Sequence, residues 1–154
     1  MEEQKILIDN QQKAKIPTLP LVKKTEQILN ALGCNSHEIS IVIIDDKGIC
    51  QLNETHRGIC KPTNVLAFPM QEGEFSDISP GLLGDVVISI DTAEREAETA
   101  AISIDERMSQ LLIHGILHLI GFDHETSDKD AETMEKKSLE LLRLIENNTG
   151  LTAF

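Results

Sequence analysis

The stretch Asp105-Glu-Arg-Met-Ser-Gln-Leu-Leu-Ile-His114-Gly115-Ile-Leu-His118-Leu-Ile-Gly121-Phe-Asp-His124 decides how this chain is read. Residues 105–120 have helical spacing, with Asp105 as the cap. Met108, Leu111, Leu112, Ile113, Ile116, Leu117, Leu119 and Ile120 make the helix apolar nearly all round. Such a helix belongs at the centre of its domain. Yet it carries His114 and His118, four residues apart and therefore on one face. Gly121 stands where a helix ends in a left-handed residue, a turn that can bring His124 back toward the other two rings. Three neutral imidazoles arranged this way hold one metal ion and leave a tetrahedral position open. That is the pattern of a catalytic zinc site rather than a structural one. Nickel, iron and copper also suit such ligands.

The spacing His–x3–His–x2–Gly–x2–His matches the ligand pattern of the metzincin peptidases. In those enzymes a glutamate acting as general base follows the first histidine; here the residue is Gly115. Glycine inside a helix costs about 1 kcal/mol relative to alanine, so its presence points to close approach by another chain segment or by substrate. Peptidase chemistry loses its base.

Outward from this helix, the chain reads as one domain over residues 1–154, with no internal repeat and no low-complexity linker. Residues 5–8 read as a short strand, and Pro17 and Pro20 punctuate a polar turn. Residues 21–32 have helical spacing and stop at Gly33. Ile41, Val42, Ile43 and Ile44 form an almost unbroken apolar run within residues 38–44, as in a strand covered on both faces. Asp46 is positioned to cap a helix reaching about His56 and ended by Gly58. Residues 64–68 and 85–90 read as two more strands. The long connection between them, with Gly73, Ser76, Pro80 and Gly81, is of the kind that borders a site. Asp91 or Thr92 starts a helix to about Ala101. A last amphipathic helix over roughly residues 129–147 carries Met134, Leu139, Leu142 and Ile145. The implied class is α+β: a small, mixed four-stranded sheet packed against about five helices, with the metal ligands on a central buried helix.

Bulk properties narrow the function. The chain has 154 residues, 40% hydrophobic and 26% charged, which suits a globular protein with its own core. A net charge of −12 argues against a non-specific coat on nucleic acid but leaves room for a local basic groove. Four Phe and no Trp or Tyr speak against a platform of stacked bases. The N-terminal segment lacks the apolar run of a secretory signal. Cys34, Cys50 and Cys60 are scattered and form no CxxC pair, so a disulfide framework is not expected. These features suggest a reduced, cytoplasmic protein.

His-Gly-x-Leu-His-Leu-x-Gly-x-Asp-His, over residues 114–124, resembles the signature of the YbeY-type bacterial endoribonucleases. The resemblance extends to Leu52-Asn53-x3-Arg57-Gly58, to the block from Pro62 to Pro69, and to the block from Leu83 to Ser89. It implies a zinc-dependent endoribonuclease specific for single-stranded RNA, acting in ribosomal RNA maturation and ribosome quality control. RNA and the small ribosomal subunit would be its partners. It also implies metal ligation by His114, His118 and His124, and a functional arginine at Arg57. The departures, Ala67 and Cys60, leave the ligands untouched.

The chemistry is compatible. Zinc lowers the pKa of bound water to about 7 and polarises phosphoryl oxygens, and an arginine fork matches the charge that spreads over those oxygens. Lys61 can hold a flanking phosphate or stand in solvent. Asp123 can orient an imidazole or cap a turn. The acidic stretch 123–132 repels phosphate, so substrate should enter from the Arg57 side. His37 and His56 lack ligand spacing and read as surface residues; Cys60 reads as an idle thiol. Two other readings stand beside this one: a zincin-like metallopeptidase, and a non-catalytic ribosome-assembly factor whose metal is structural.

Overall fold

Two strands that are apolar on both faces make the middle of the sheet. The computed structural model describes residues 6–34, 37–70, 82–122, 127–148 and 150–151. Along these the order is β1 (Ile6–Asn10), α1 (Thr18–Ala31), β2 (Glu38–Ile44), α2 (Asp46–Arg57), β3 (Val65–Pro69), β4 (Leu82–Ser89), α3 (Ile90–Ala100), α4 (Ile104–Leu119) and α5 (Asp128–Ile145). The strands lie in the order β1-β2-β4-β3. β1, β2 and β4 run parallel, with Ile41 opposite Val86, and β3 closes the sheet antiparallel to β4. The architecture is the expected α+β domain with a mixed four-stranded sheet and five helices.

Alternation along the strands sorts side chains onto two faces. Ile39, Ile41 and Ile43 of β2, with Val86 and Ile88 of β4, share one core with Leu112, Ile113 and Ile116 of α4. Ile44, Val87 and Leu66 turn the other way and pack under Ile49 of α2. The apolar run in β2 therefore has the cause inferred from sequence: helices cover both sides. α4 lies between the sheet and the helices α3 and α5. From Met108 to Leu119 every residue of α4 is buried except His114 and His118, which are half-buried. Beyond its first turn, the central helix breaks its burial only at its histidines.

Several caps differ from the sequence expectation, because a side chain reaching N2 or N3 wins over a nearby acid. Asp45, not Asp46, caps α2 by accepting from the backbone N–H of Gly48 at 2.8 Å. Asp46 is then free to accept from Ser89 Oγ at 2.6 Å and Thr92 Oγ1 at 2.7 Å, and pairs with Arg95 at 2.8 Å, tying α2 to α3. Ser103, not Asp105, caps α4; with Glu106 it forms the S-x-x-E pattern, which the sequence reading passed over. Ser89 caps α3 in place of Asp91 or Thr92. Pro20 falls in the first turn of α1 rather than in the preceding loop, where its missing N–H costs nothing. In α5 the core residues include Leu141, whereas Leu139 is half-buried. The connection holding Gly73, Ser76, Pro80 and Gly81 lies outside the described residues. Among the described residues no helix is long and apolar enough to cross a membrane.

Candidate metal centre and cleft

His114 and His118 lie one turn apart on α4, and that spacing turns their rings toward each other. Their Nε2 atoms stand 3.1 Å apart, with ring centroids at 4.5 Å and an interplanar angle of 69°. Two nitrogens bound tetrahedrally to one ion at ~2.1 Å are separated by roughly 3.4 Å, so the pair lies close to the spacing of two ligands of a shared metal. The same spacing is also a hydrogen bond between imidazoles in complementary tautomers. Among the described residues no third His, Cys, Asp or Glu joins them. The third ligand named from sequence, His124, lies outside the described residues, as does Asp123. The turn leading toward it is as expected: Gly121 has φ +104°, and the N–H of Phe122 returns to Leu117 O at 3.0 Å.

Gly115 explains itself in three dimensions. A Cβ built there would lie 2.6 Å from Val86 Cγ1 and 3.3 Å from Val65 Cγ2. The close approach inferred from the glycine is that of the sheet, and it presses the histidine-bearing turn of α4 onto β3 and β4. A glutamate in the peptidase position would drive its own stem into Val86.

The two imidazoles open onto a cleft of about 710 Å³ whose opposite wall is β3 and the residues before it. Arg57, at the C-terminal end of α2, is exposed and lines the same cleft. It makes no ion pair among the described residues, leaving its guanidinium available to an anion. One turn back on α2, buried Asn53 donates from Nδ2 to Lys61 O at 2.9 Å and holds the segment that leads from Arg57 toward β3. Asn64, at the foot of β3, donates to Glu96 at 3.2 Å, and Glu96 pairs with Arg107 of α4 at 2.9 Å. This relay ties the cleft's far wall to the helix that carries the histidines.

Four residues weighed in the sequence take these places. His56 is exposed but lines the cleft, its ring 4.8 Å from that of Phe68; its adjacency to Arg57 was the available signal. His37 is half-buried rather than on the surface. Cys60 sits against Cys50, their sulfurs 3.6 Å apart. Lys61 is exposed, with its carbonyl held by Asn53.

Comparison with known proteins follows the same outline. The family model described as Endoribonuclease YbeY matches residues 7–146. The chain is 48% identical over 145 residues to an Endoribonuclease YbeY of Geobacter sulfurreducens, covering 93% of this chain and 97% of that protein. It is 46% identical over 129 residues to one of Aquifex aeolicus, covering 84% and 81%. A solution structure of a Thermotoga maritima protein superposes with a TM-score of 0.68 at 27% identity, over 92% of this chain and 89% of that one.

Proposed function

Since the chain belongs to the Endoribonuclease YbeY family, we propose that it is a zinc-dependent endoribonuclease that cuts single-stranded RNA in the cleft between α4 and β3. Residues 1–154 are taken as one such domain. The observation that carries this reading is the opening of His114 and His118, Nε2 atoms 3.1 Å apart, onto the cleft that Arg57 also lines. His114, His118 and His124 would hold one zinc ion, through neutral imidazoles. Bound zinc supplies Lewis acidity toward a phosphoryl oxygen and acidifies water beside it.

The chain's own residues do the rest. Arg57 presents a planar fork to two phosphate oxygens and offsets the charge that builds on them as the diester is cut. Asn53 and the Asn64–Glu96–Arg107 relay keep the two walls in register, so the diester meets guanidinium and imidazoles together. The net charge of −12 disfavours phosphate elsewhere on the surface in general, so a local cation such as Arg57 matters for seating it. The biological setting that follows is the cytoplasm, with precursor ribosomal RNA and the small ribosomal subunit as partners in maturation and quality control.

The test pairs metal analysis of protein made without a histidine tag with cleavage of a single-stranded RNA oligonucleotide. The parent should bind one zinc per chain and cut. Folded His114→Ala/His118→Ala protein should do neither, and cleavage at the parental rate by that metal-free variant would overturn the proposal. The peptidase reading is disfavoured by Gly115 against Val86, and a casein digest with added zinc checks it. An assembly factor with a structural metal would instead fill the fourth ligand position with a protein atom.

A further inference from the structure

Scattered in sequence, two of the three cysteines meet in the fold. Cys50 is half-buried on α2, Cys60 is exposed between α2 and β3, and their Sγ atoms are 3.6 Å apart. Cys34 packs against the main core, and its thiol donates to Leu32 O. The segment bearing Cys60 is also held from the same helix, by the bond from Asn53 Nδ2 to Lys61 O at 2.9 Å. That bond keeps the two sulfurs facing each other. A disulfide needs its sulfurs at ~2.05 Å, so the two thiols must close by about 1.5 Å.

We propose that Cys50 and Cys60 are a redox-active dithiol, oxidised to an intramolecular disulfide by a small-molecule disulfide of the glutathione class, and that this bond pins the segment after Arg57 onto α2. In the first step the Cys50 thiolate attacks one sulfur of the oxidant. A Cys50–glutathione bond forms, the oxidant's S–S bond breaks, and one glutathione leaves as thiolate and takes up a proton. In the second step Cys60 gives its proton to solvent and attacks the Cys50 sulfur. The Cys50–Cys60 bond forms and the second glutathione leaves. Two protein thiols are oxidised, and one disulfide is reduced to two thiols by the same two electrons. The pKa of the Cys60 thiol is pushed up to about 11 by its hydrogen bond with Cys50, the charge of Cys50 and the nearby Glu54 carboxylate. The consequence reaches the cleft because Cys60 follows Arg57 by three positions.

The test treats reduced protein with oxidised glutathione, quenches in acid and maps peptides by mass. Parent and Cys34→Ser protein should each lose two hydrogens and yield a linked Cys50–Cys60 peptide. Cys60→Ser, at an exposed site, should stop at a glutathione adduct on Cys50 that dithiothreitol removes. A lasting adduct on the parent, or linkage through Cys34 or between chains, would overturn the assignment. Oxidation should also slow tryptic cleavage after Arg57 several-fold in the parent but not in Cys60→Ser, and an unchanged rate would overturn the pinning. Neither readout uses RNA, so its failure leaves the endoribonuclease reading standing.

Discussion

Gly115 of α4 stands so close over Val86 of β4 that a Cβ added to it would lie 2.6 Å from Val86 Cγ1 and 3.1 Å from Cγ2. Val86 is fully buried and cannot move aside. Helix propensity favours alanine at position 115 by about 1 kcal/mol, but forcing a methyl into a packed core costs typically 1–3 kcal/mol. With two Val86 methyls and Val65 Cγ2 all nearer than ordinary contact, overpacking wins. Gly115→Ala should lower the urea midpoint, and Gly115→Ala/Val86→Ala should show a favourable coupling between the two sites. Independent, additive effects would count against this packing.

Metal binding should report on the histidine pair through stability as well as through activity. A ligand that binds only the folded state adds about 2.7 kcal/mol at a concentration 100 times its Kd. Zinc should therefore raise the thermal midpoint of the parent, and a chelator should reverse the shift. In His114→Ala/His118→Ala protein the midpoint should not respond to zinc.

Arg57 is exposed, so its loss should affect catalysis rather than folding. Arg57→Ala should lower kcat/KM on single-stranded RNA roughly 100- to 1,000-fold, the range for removing one preorganised donor to a developing anion. Its unfolding curve should overlay that of the parent. Arg57→Lys should recover only part of the rate, because an ammonium cannot grip two oxygens with a planar fork. Full recovery by lysine would mean that charge alone matters at this position.

Asp46 gives the acid limb of stability a specific source. Burial opposes its ionisation, but hydrogen bonds from Ser89, Thr92 and Arg95 outweigh burial and hold its pKa below the ordinary 3.8. A carboxyl with a depressed pKa in the folded state stabilises fully above its unfolded value, and that contribution is lost as pH falls through the folded value. Asp46→Asn should therefore be less stable than the parent near neutral pH, and the difference in urea midpoint should shrink below pH 3.8. A gap independent of pH would assign the effect to hydrogen-bond geometry instead of charge.

The elements and the class of this fold were legible because hydrophobic period is a local property. The run Ile41–Ile44 announced a doubly covered strand, and the largely apolar stretch from Met108 to Leu119 announced a central helix interrupted by two histidines. Caps were less legible. Asp45 and Asp46, or Ser103 and Asp105, are all plausible caps in sequence, and only backbone direction selects the side chain that reaches the free N–H groups.

The sequence by itself determined that His114 and His118 share a face, that Gly121 turns the chain after them, and that Gly115 excludes the peptidase base. Each follows from spacing or residue type within one helix, where 3.6 residues per turn fixes geometry. Tertiary structure decided what the helix faces. It set Val86 under Gly115, Arg57 and His56 on the same cleft as the imidazoles, and Cys60 against Cys50. These pairings join residues whose separation along the chain carries no information about distance. They exist because burying both faces of β2 and β4 under α4 and α2 leaves one arrangement in which those side chains converge.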